Sequence, residues 1–138
     1  MPNPQEDCLA YLEQIRWNGV PTCPYCSFMN STAYKKERRY HCNNCFTSYS
    51  VTVGTLFHGT RVDLLKWFFA IQIVRNSSEE ITVRQLGERI GVSKNTAGSM
   101  KQRIRKAMIE QPIFFNAILK DLDSFLRQNK FDPIDNSE

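Results

Sequence analysis

The sequence predicts a small α+β fold, and three features of its 138 residues support this prediction. Two Cys-x-x-Cys pairs lie near the start of the chain, followed by β-branched and aromatic residues typical of short strands. After Gly59 the apolar residues adopt helical spacing. A glycine then separates two further helical patterns, as in a helix-turn-helix.

Composition excludes several classes of protein. Hydrophobic residues make up 41% and charged residues 23%, which is ordinary for a globular chain and argues against wholesale disorder. The longest apolar run, Trp67–Ile71, is far shorter than a membrane span. The first seven residues lack the basic and apolar regions of a signal peptide. We therefore expect a cytoplasmic protein with no membrane partner.

The cysteine pairs predict a metal site. Cys23 and Cys26 form the first pair, Cys42 and Cys45 the second, and fifteen residues separate the pairs, which is zinc-ribbon spacing. Each Cys-x-x-Cys turn presents two thiolates to one cation, so two turns complete a tetrahedron of sulfur. We expect one structural Zn²⁺ per chain, because four protein ligands leave no open position for catalysis.

Other uses of these cysteines are less favoured. A disulfide framework conflicts with the expected compartment and the odd count of five cysteines, and a redox dithiol needs a single pair. Iron, bound as in rubredoxin-like sites, stays open. His41 adjoins Cys42 but is expected to be a strand residue, and Cys8 a small buried apolar residue.

The segment between the pairs predicts a β-hairpin. Residues 32–34 and 39–41 form its strands, residues 35–38 its charged turn, and residues 49–53 another strand. The basic side chains of this turn are expected to contact DNA phosphates. They are Lys35, Lys36, Arg38 and Arg39.

Three helices follow in the prediction. Residues 64–74 are apolar nearly all round, which is typical of a central buried helix. Thr82 and Gln85 have capping-box spacing at the start of the second helix, and Gly91 ends it. Ser93 is positioned to cap the third helix, which runs to about Met108.

The third helix divides into two faces. Its apolar stripe comprises Ala97, Met100, Ile104 and Met108. The opposite side offers donors for base edges, as a recognition helix requires. The predicted DNA-binding residues are Lys94, Asn95, Thr96, Ser99, Gln102, Arg103 and Lys106, with Arg84 and Arg105 as phosphate contacts. An ordinary amphipathic surface helix has the same pattern.

Charge favours the DNA-binding interpretation. Residues 82–108 carry seven basic side chains and one acidic side chain, whereas residues 1–22 and 109–138 are net acidic. A basic excess concentrated in one folded segment indicates a polyanion partner. We expect double-stranded DNA as the partner, a nucleoid-associated location and no small-molecule substrate.

The C-terminal segment predicts one more amphipathic helix, beginning at Pro112. Its apolar stripe comprises Phe115, Ile118, Leu119, Leu122, Phe125 and Leu126. This stripe either packs on the chain's own core or forms a homodimer seam. The predicted organisation is an N-terminal helix at 1–19, a zinc ribbon at 20–58, a helix-turn-helix domain at 60–110, a C-terminal helix at 111–131 and a flexible tail at 132–138.

Several motifs together resemble the N-terminal region of bacterial insertion-sequence transposases related to the Merlin elements. The resemblance covers roughly residues 8–108. It is carried, in order, by residues 17–26, 50–57, 65–68, 91–97 and 103–108. The chain departs from the family pattern at Ser27 and Phe46, where such ribbons often carry glycine or a small polar residue, and at Gly98, where a bulky residue is usual.

The resemblance implies that the ribbon and helix-turn-helix bind transposon ends, whereas a following DDE domain cuts and joins DNA. It assigns no catalytic residue here, because the thirty residues after Met108 lack the family's strand-borne Val-Asp-Glu pattern. We therefore expect a sequence-specific DNA-binding regulator of transcription or transposition that is not an enzyme. The alternatives are a protein-interaction adaptor and a DNA-end-binding subunit that works with a separate catalytic chain.

Overall fold

The computed structural model describes residues 3–76 and 80–128 and confirms a small α+β fold. The elements are α1 (Pro4–Trp17), β1 (Ser31–Ala33), β2 (Tyr40–Cys42), β3 (Ser48–Tyr49), α2 (Leu64–Asn76), α3 (Val83–Ile90), α4 (Lys94–Glu110), α5 (Pro112–Lys120) and α6 (Leu122–Gln128). The chain divides into two compact units, residues 1–64 and 65–138. The expected flexible tail lies outside the described residues.

The first unit contains a three-stranded antiparallel sheet in the order β1-β2-β3. Thr32 pairs with His41 across the hairpin, and the Tyr34 N–H donates to the Arg39 carbonyl at 2.9 Å to close its base. The predicted hairpin is thus confirmed. The predicted strand over 49–53 is wrong beyond Tyr49, because the backbone turns there and the Val53 N–H bonds to the Ser50 carbonyl.

Aromatic rings and the α1 helix complete this small core. The Trp17 ring contacts Tyr40 and Tyr49 edge to face, with centroids 5.9 and 5.7 Å away. The Arg16 guanidinium donates to the carbonyls of Val51 and Val53 at 2.7 and 2.6 Å. Helix α1 therefore belongs to the same unit as the ribbon and holds the turn that follows the sheet.

All of the apolar helix α2 after Leu64 belongs to the second unit, and its residues Trp67, Phe68 and Ile71 are almost fully buried. The capping box at the start of α3 is confirmed, since the Thr82 hydroxyl accepts from the Gln85 N–H and the Gln85 side chain accepts from the Thr82 N–H. No described helix is long and apolar enough to cross a membrane.

The C-terminal prediction of one continuous helix is wrong, because the backbone breaks at Asp121 between α5 and α6. The Asp121 N–H donates to the Leu119 carbonyl, two residues back, so regular helical bonding stops there. Apolar residues of both helices are buried, with Ile118 and Leu122 fully enclosed. This burial supports packing within the chain, and a homodimer remains a prediction.

Candidate metal centre and nucleic-acid interface

The four predicted zinc ligands come together in the first unit. The sulfur atoms of Cys23, Cys26, Cys42 and Cys45 all lie within 4.8 Å of one another. The Cys23–Cys45 and Cys26–Cys42 sulfur pairs are 3.6 and 3.5 Å apart. Tetrahedral zinc with bonds near 2.3 Å requires sulfur separations of roughly 3.8 Å. The cluster therefore fits one structural zinc ion.

Two backbone turns of the same design hold these sulfurs. In the first turn, the Ser27 N–H donates to the Cys23 carbonyl at 2.8 Å, and in the second the Phe46 N–H donates to the Cys42 carbonyl at 2.9 Å. Ser27 and Phe46 have φ angles of 66° and 63°, in the left-handed region that favours glycine. Both positions were among the family departures, so this chain adopts the left-handed turn with side chains present.

Hydrogen bonds favour ionisation of the two more exposed thiols, those of Cys26 and Cys45. The hydroxyl and backbone of Thr47 lower the pKa of Cys45 to about 6, and the Asn44 side chain lowers the pKa of Cys26. Burial raises the pKa of Cys23 to about 11. Zinc must therefore displace a proton from at least the Cys23 thiol, so metal binding releases protons at neutral pH.

The remaining candidate ligands stay apart from this cluster. His41 is a strand residue in β2, as predicted, and does not belong to the four-cysteine group. Cys8 is fully buried in α1, where burial raises the pKa of its thiol to about 12. The thiol is therefore kept protonated, as expected of a small apolar residue.

Arg38 of the basic hairpin turn, a predicted phosphate contact, has carboxylate partners within the fold. Arg38 donates to Glu6 at 2.5 Å and to Glu13 at 2.9 Å, so its charge is matched by two carboxylates of α1. Glu13 is buried and also accepts from the Tyr40 hydroxyl at 2.8 Å. Sequence reasoning missed this network, whose only signal was an acidic residue in an apolar helix pattern. Lys35 and Lys36 are exposed at the turn.

In the second unit, a short turn joins helices α3 and α4, in the segment predicted as a helix-turn-helix. Gly91 ends α3 at a φ of 78°, and the Ser93 side chain accepts from the Thr96 N–H at 3.1 Å to cap α4. Both signals are confirmed. Gly87 is a further requirement that the sequence did not reveal, because a Cβ atom there would lie 2.8 Å from the Val92 carbonyl oxygen.

Helix α4 buries the predicted apolar side, with one correction. Ala97, Met100 and Ile104 are at most 2% exposed. The predicted stripe includes Met108, but this residue is 47% exposed and Ala107 is buried in its place. The next buried residue after Ile104 is therefore Ala107, three positions on, rather than Met108, four positions on. A helical repeat of 3.6 residues allows either spacing.

The outer side of α4 forms the wall of a groove of about 540 Å³. Five predicted DNA contacts line it, namely Lys94, Asn95, Ser99, Gln102 and Arg105. The other predicted contacts on α4, Thr96, Arg103 and Lys106, lie outside the groove lining. Arg84, an exposed residue of α3, also lies outside it. Arg105, expected at phosphate, thus shares a surface with the residues expected at bases.

Sequence reasoning missed two charged residues of this groove, Glu80 and Lys101. Lys101 is only 8% exposed, and its ammonium donates to the Ile81 carbonyl and to Glu80 at 3.1 Å. Glu80 also bonds Arg105 at 2.6 Å, and the Arg105 hydrogen bond is the first cause of the lowered pKa of Glu80. The only signal in the sequence was a pair of acidic residues, at positions 79 and 80, just before a strongly basic segment.

Comparison with known proteins agrees with the metal centre. Residues 3–48 match the family model described as a transposase zinc-ribbon domain. An uncharacterised protein in the transposable element ISH50 of Halobacterium salinarum is 35% identical over 102 residues, which is 70% of this chain and 33% of that protein. The chain thus spans about a third of the length of this relative. No solved structure matches.

Proposed function

We propose that this chain is a transposase-derived protein that binds double-stranded DNA sequence-specifically, through the outer face of α4, and regulates transcription or transposition. No bond-breaking step is assigned to it. Among the described residues, the one group of three or more potential metal-ligating side chains is the four-cysteine cluster. A coordinatively closed zinc site of this type supports structure rather than chemistry.

The observation that carries the proposal is the groove along α4. One side of the helix is anchored in the core by apolar residues, and the other presents amide, hydroxyl and cationic donors. An α-helix fits the major groove of B-DNA, where every base pair displays a distinct set of donors and acceptors. Asn95 and Gln102 suit the edge of adenine, and Lys94 suits guanine or phosphate.

The ribbon has an accessory part in this proposal. Lys35 and Lys36 extend from its hairpin turn as exposed cations, and Arg39 is half-buried beside the Ser48 hydroxyl. Contacts to phosphate position a protein on DNA without reading sequence. We therefore assign Lys35 and Lys36 to affinity for any sequence, and we omit Arg38 because Glu6 and Glu13 engage it.

A second candidate function follows from the ISH50 relative. Because this chain matches only a third of a protein from a transposable element, it also suits the role of a DNA-end-binding part that works with a catalytic chain or domain. In that case the preferred DNA sites would lie at the ends of a mobile element. The regulator and the end-binding part share the same α4 surface and differ in the sites they occupy.

The first experiment is selection of bound sequences from a random duplex pool, followed by binding assays on the selected site. Asn95→Ala should weaken binding to that site by about 1–3 kcal/mol while leaving random-sequence binding unchanged. Asn116→Ala provides the matched control, because Asn116 is an exposed residue of α5. Binding should also fall steeply with salt, as counterion release requires.

Three results would contradict the proposal. Wild-type protein that binds no duplex would remove it altogether. Equal affinity of wild type and Asn95→Ala for the selected site would remove the assigned reading face. Metal-dependent cleavage of DNA by the purified chain would show that the chain is an enzyme.

A further inference from the structure

We propose that Arg105 reads a guanine base, and that Glu80 and Lys101 are positioning residues that hold its guanidinium at the base edge. The inference rests on the proposed DNA binding and deepens it by naming a specificity determinant. It also replaces the expectation that Arg105 contacts a phosphate.

The geometry is a chain of three charged groups in one groove. The Arg105 Nη2 atom lies 2.6 Å from a carboxylate oxygen of Glu80, and the Lys101 Nζ atom lies 3.1 Å from the same oxygen. A guanidinium has five N–H donors in a planar fork, so this bond leaves further donors for a ligand. The Arg105 side chain is 49% exposed and lines the groove, so those donors are accessible.

Lys101 holds the Glu80 carboxylate in place beside Arg105. Its side chain is 10% exposed, and its ammonium also donates to the Ile81 carbonyl. A buried ammonium is costly unless it is paired, so Lys101 retains Glu80 as its counter-ion. Glu80 in turn removes rotational freedom from the guanidinium, and pre-organisation of this kind reduces the entropy lost on binding.

Electrostatics favour a base over a phosphate as the ligand of Arg105. A phosphate oxygen is anionic and would approach within a few ångströms of the Glu80 carboxylate, which is 63% exposed. Like charges at such distances repel each other. The O6 and N7 atoms of guanine are uncharged acceptors that match the arginine fork, so Glu80 orients the arginine toward them without opposing them.

Arg105 lines the same groove as the proposed reading residues Asn95 and Gln102. Asn95 and Arg105 are ten residues apart, which corresponds to about 15 Å along an α-helix and to about four base-pair steps. Gly98 lines the same groove and contributes no side chain to it. A base edge can therefore approach the wall between these two residues.

The test measures base preference position by position on the selected duplex. Wild type should prefer guanine at one position, and Arg105→Lys, which keeps the charge but loses the fork, should reduce that preference by about five- to 150-fold. Glu80→Gln should reduce the preference at the same position without weakening random-sequence binding. Glu110→Gln, an exposed substitution on the same helix outside the groove lining, should change neither quantity.

Two outcomes would overturn the inference alone. If Arg105→Lys keeps the full pattern of base preference, Arg105 does not read a base. If Glu80→Gln tightens binding to all sequences equally and steepens the salt dependence, Glu80 is a competing anion and Arg105 a phosphate contact. Absence of duplex binding by the wild type would instead refute the proposed function together with this inference. Circular dichroism of each variant verifies that its helices are intact.

Discussion

Replacing Gly87 by alanine should destabilise the second unit, although alanine is the better helix former. The added Cβ atom would lie 2.8 Å from the Val92 carbonyl oxygen and 3.3 Å from that of Ser93. Both neighbours are backbone atoms of the turn between α3 and α4 and cannot rotate away. The Gly87 carbonyl also accepts the N–H groups of Gly91 and Val92 at 2.8 and 3.0 Å, so displacement of the turn would strain the helix end.

The magnitude follows from two opposing terms. Alanine in a helix interior gains about 1 kcal/mol over glycine. Overpacking a tight site costs about 1–3 kcal/mol, and the rigid backbone here favours the upper part of that range. We expect a net loss of about 1–2 kcal/mol. For a domain of this size, that lowers the melting temperature by roughly 5–15 °C.

Gly98→Ala is the matched control for this experiment. A Cβ atom there would meet only the Val83 Cγ1 atom at 3.7 Å, an ordinary contact, so the helix-propensity gain of up to about 1 kcal/mol should remain. Thermal melting of both variants, followed by far-ultraviolet circular dichroism, measures the two shifts. Gly87→Ala melting at or above the wild-type temperature would refute the packing argument.

Two further predictions concern zinc and pH. Removal of zinc by a strong chelator should unfold the first unit, including α1, because the buried residues around the sheet are few and two of them, Cys23 and Cys42, are ligands. Limited proteolysis should then show loss of protection within residues 1–64. Unchanged circular dichroism and unchanged protection would contradict this prediction. The Arg105 hydrogen bond lowers the pKa of Glu80 below its usual value of 4.5. Ionised Glu80 therefore contributes its full stability to the folded state above pH 4.5, and this contribution is lost as the pH falls through the lowered pKa. Urea unfolding of wild type and Glu80→Gln should accordingly converge toward low pH, whereas a constant difference would contradict the ion pair.

The local features of the fold were predictable from the sequence because their causes are local. The Cys-x-x-Cys spacing located the metal centre, and the capping residues Thr82, Ser93 and the terminal Gly91 located the ends of α3 and the start of α4. Each of these signals acts through bonds between residues a few positions apart. Boundaries without such a signal were predicted less well, as at Tyr49 and Asp121.

Contacts between distant segments decided what the sequence pattern left open. The sequence alone predicts Arg38 as a phosphate contact, and the fold places Glu6 and Glu13 of α1 beside it. Likewise, Arg105 and Lys101 lie in the most basic stretch of the chain, but both form ion pairs with Glu80, which precedes that stretch.

Spacing and periodicity along the chain were enough to identify the four cysteine ligands, the end of α3, the start of α4 and the side of α4 that faces inward. Which basic side chains have carboxylate partners became known only from the folded chain, and this pairing sets which cations are left for the proposed DNA partner. An ion pair depends on the distance between two charges in space, and separation along the chain does not fix that distance.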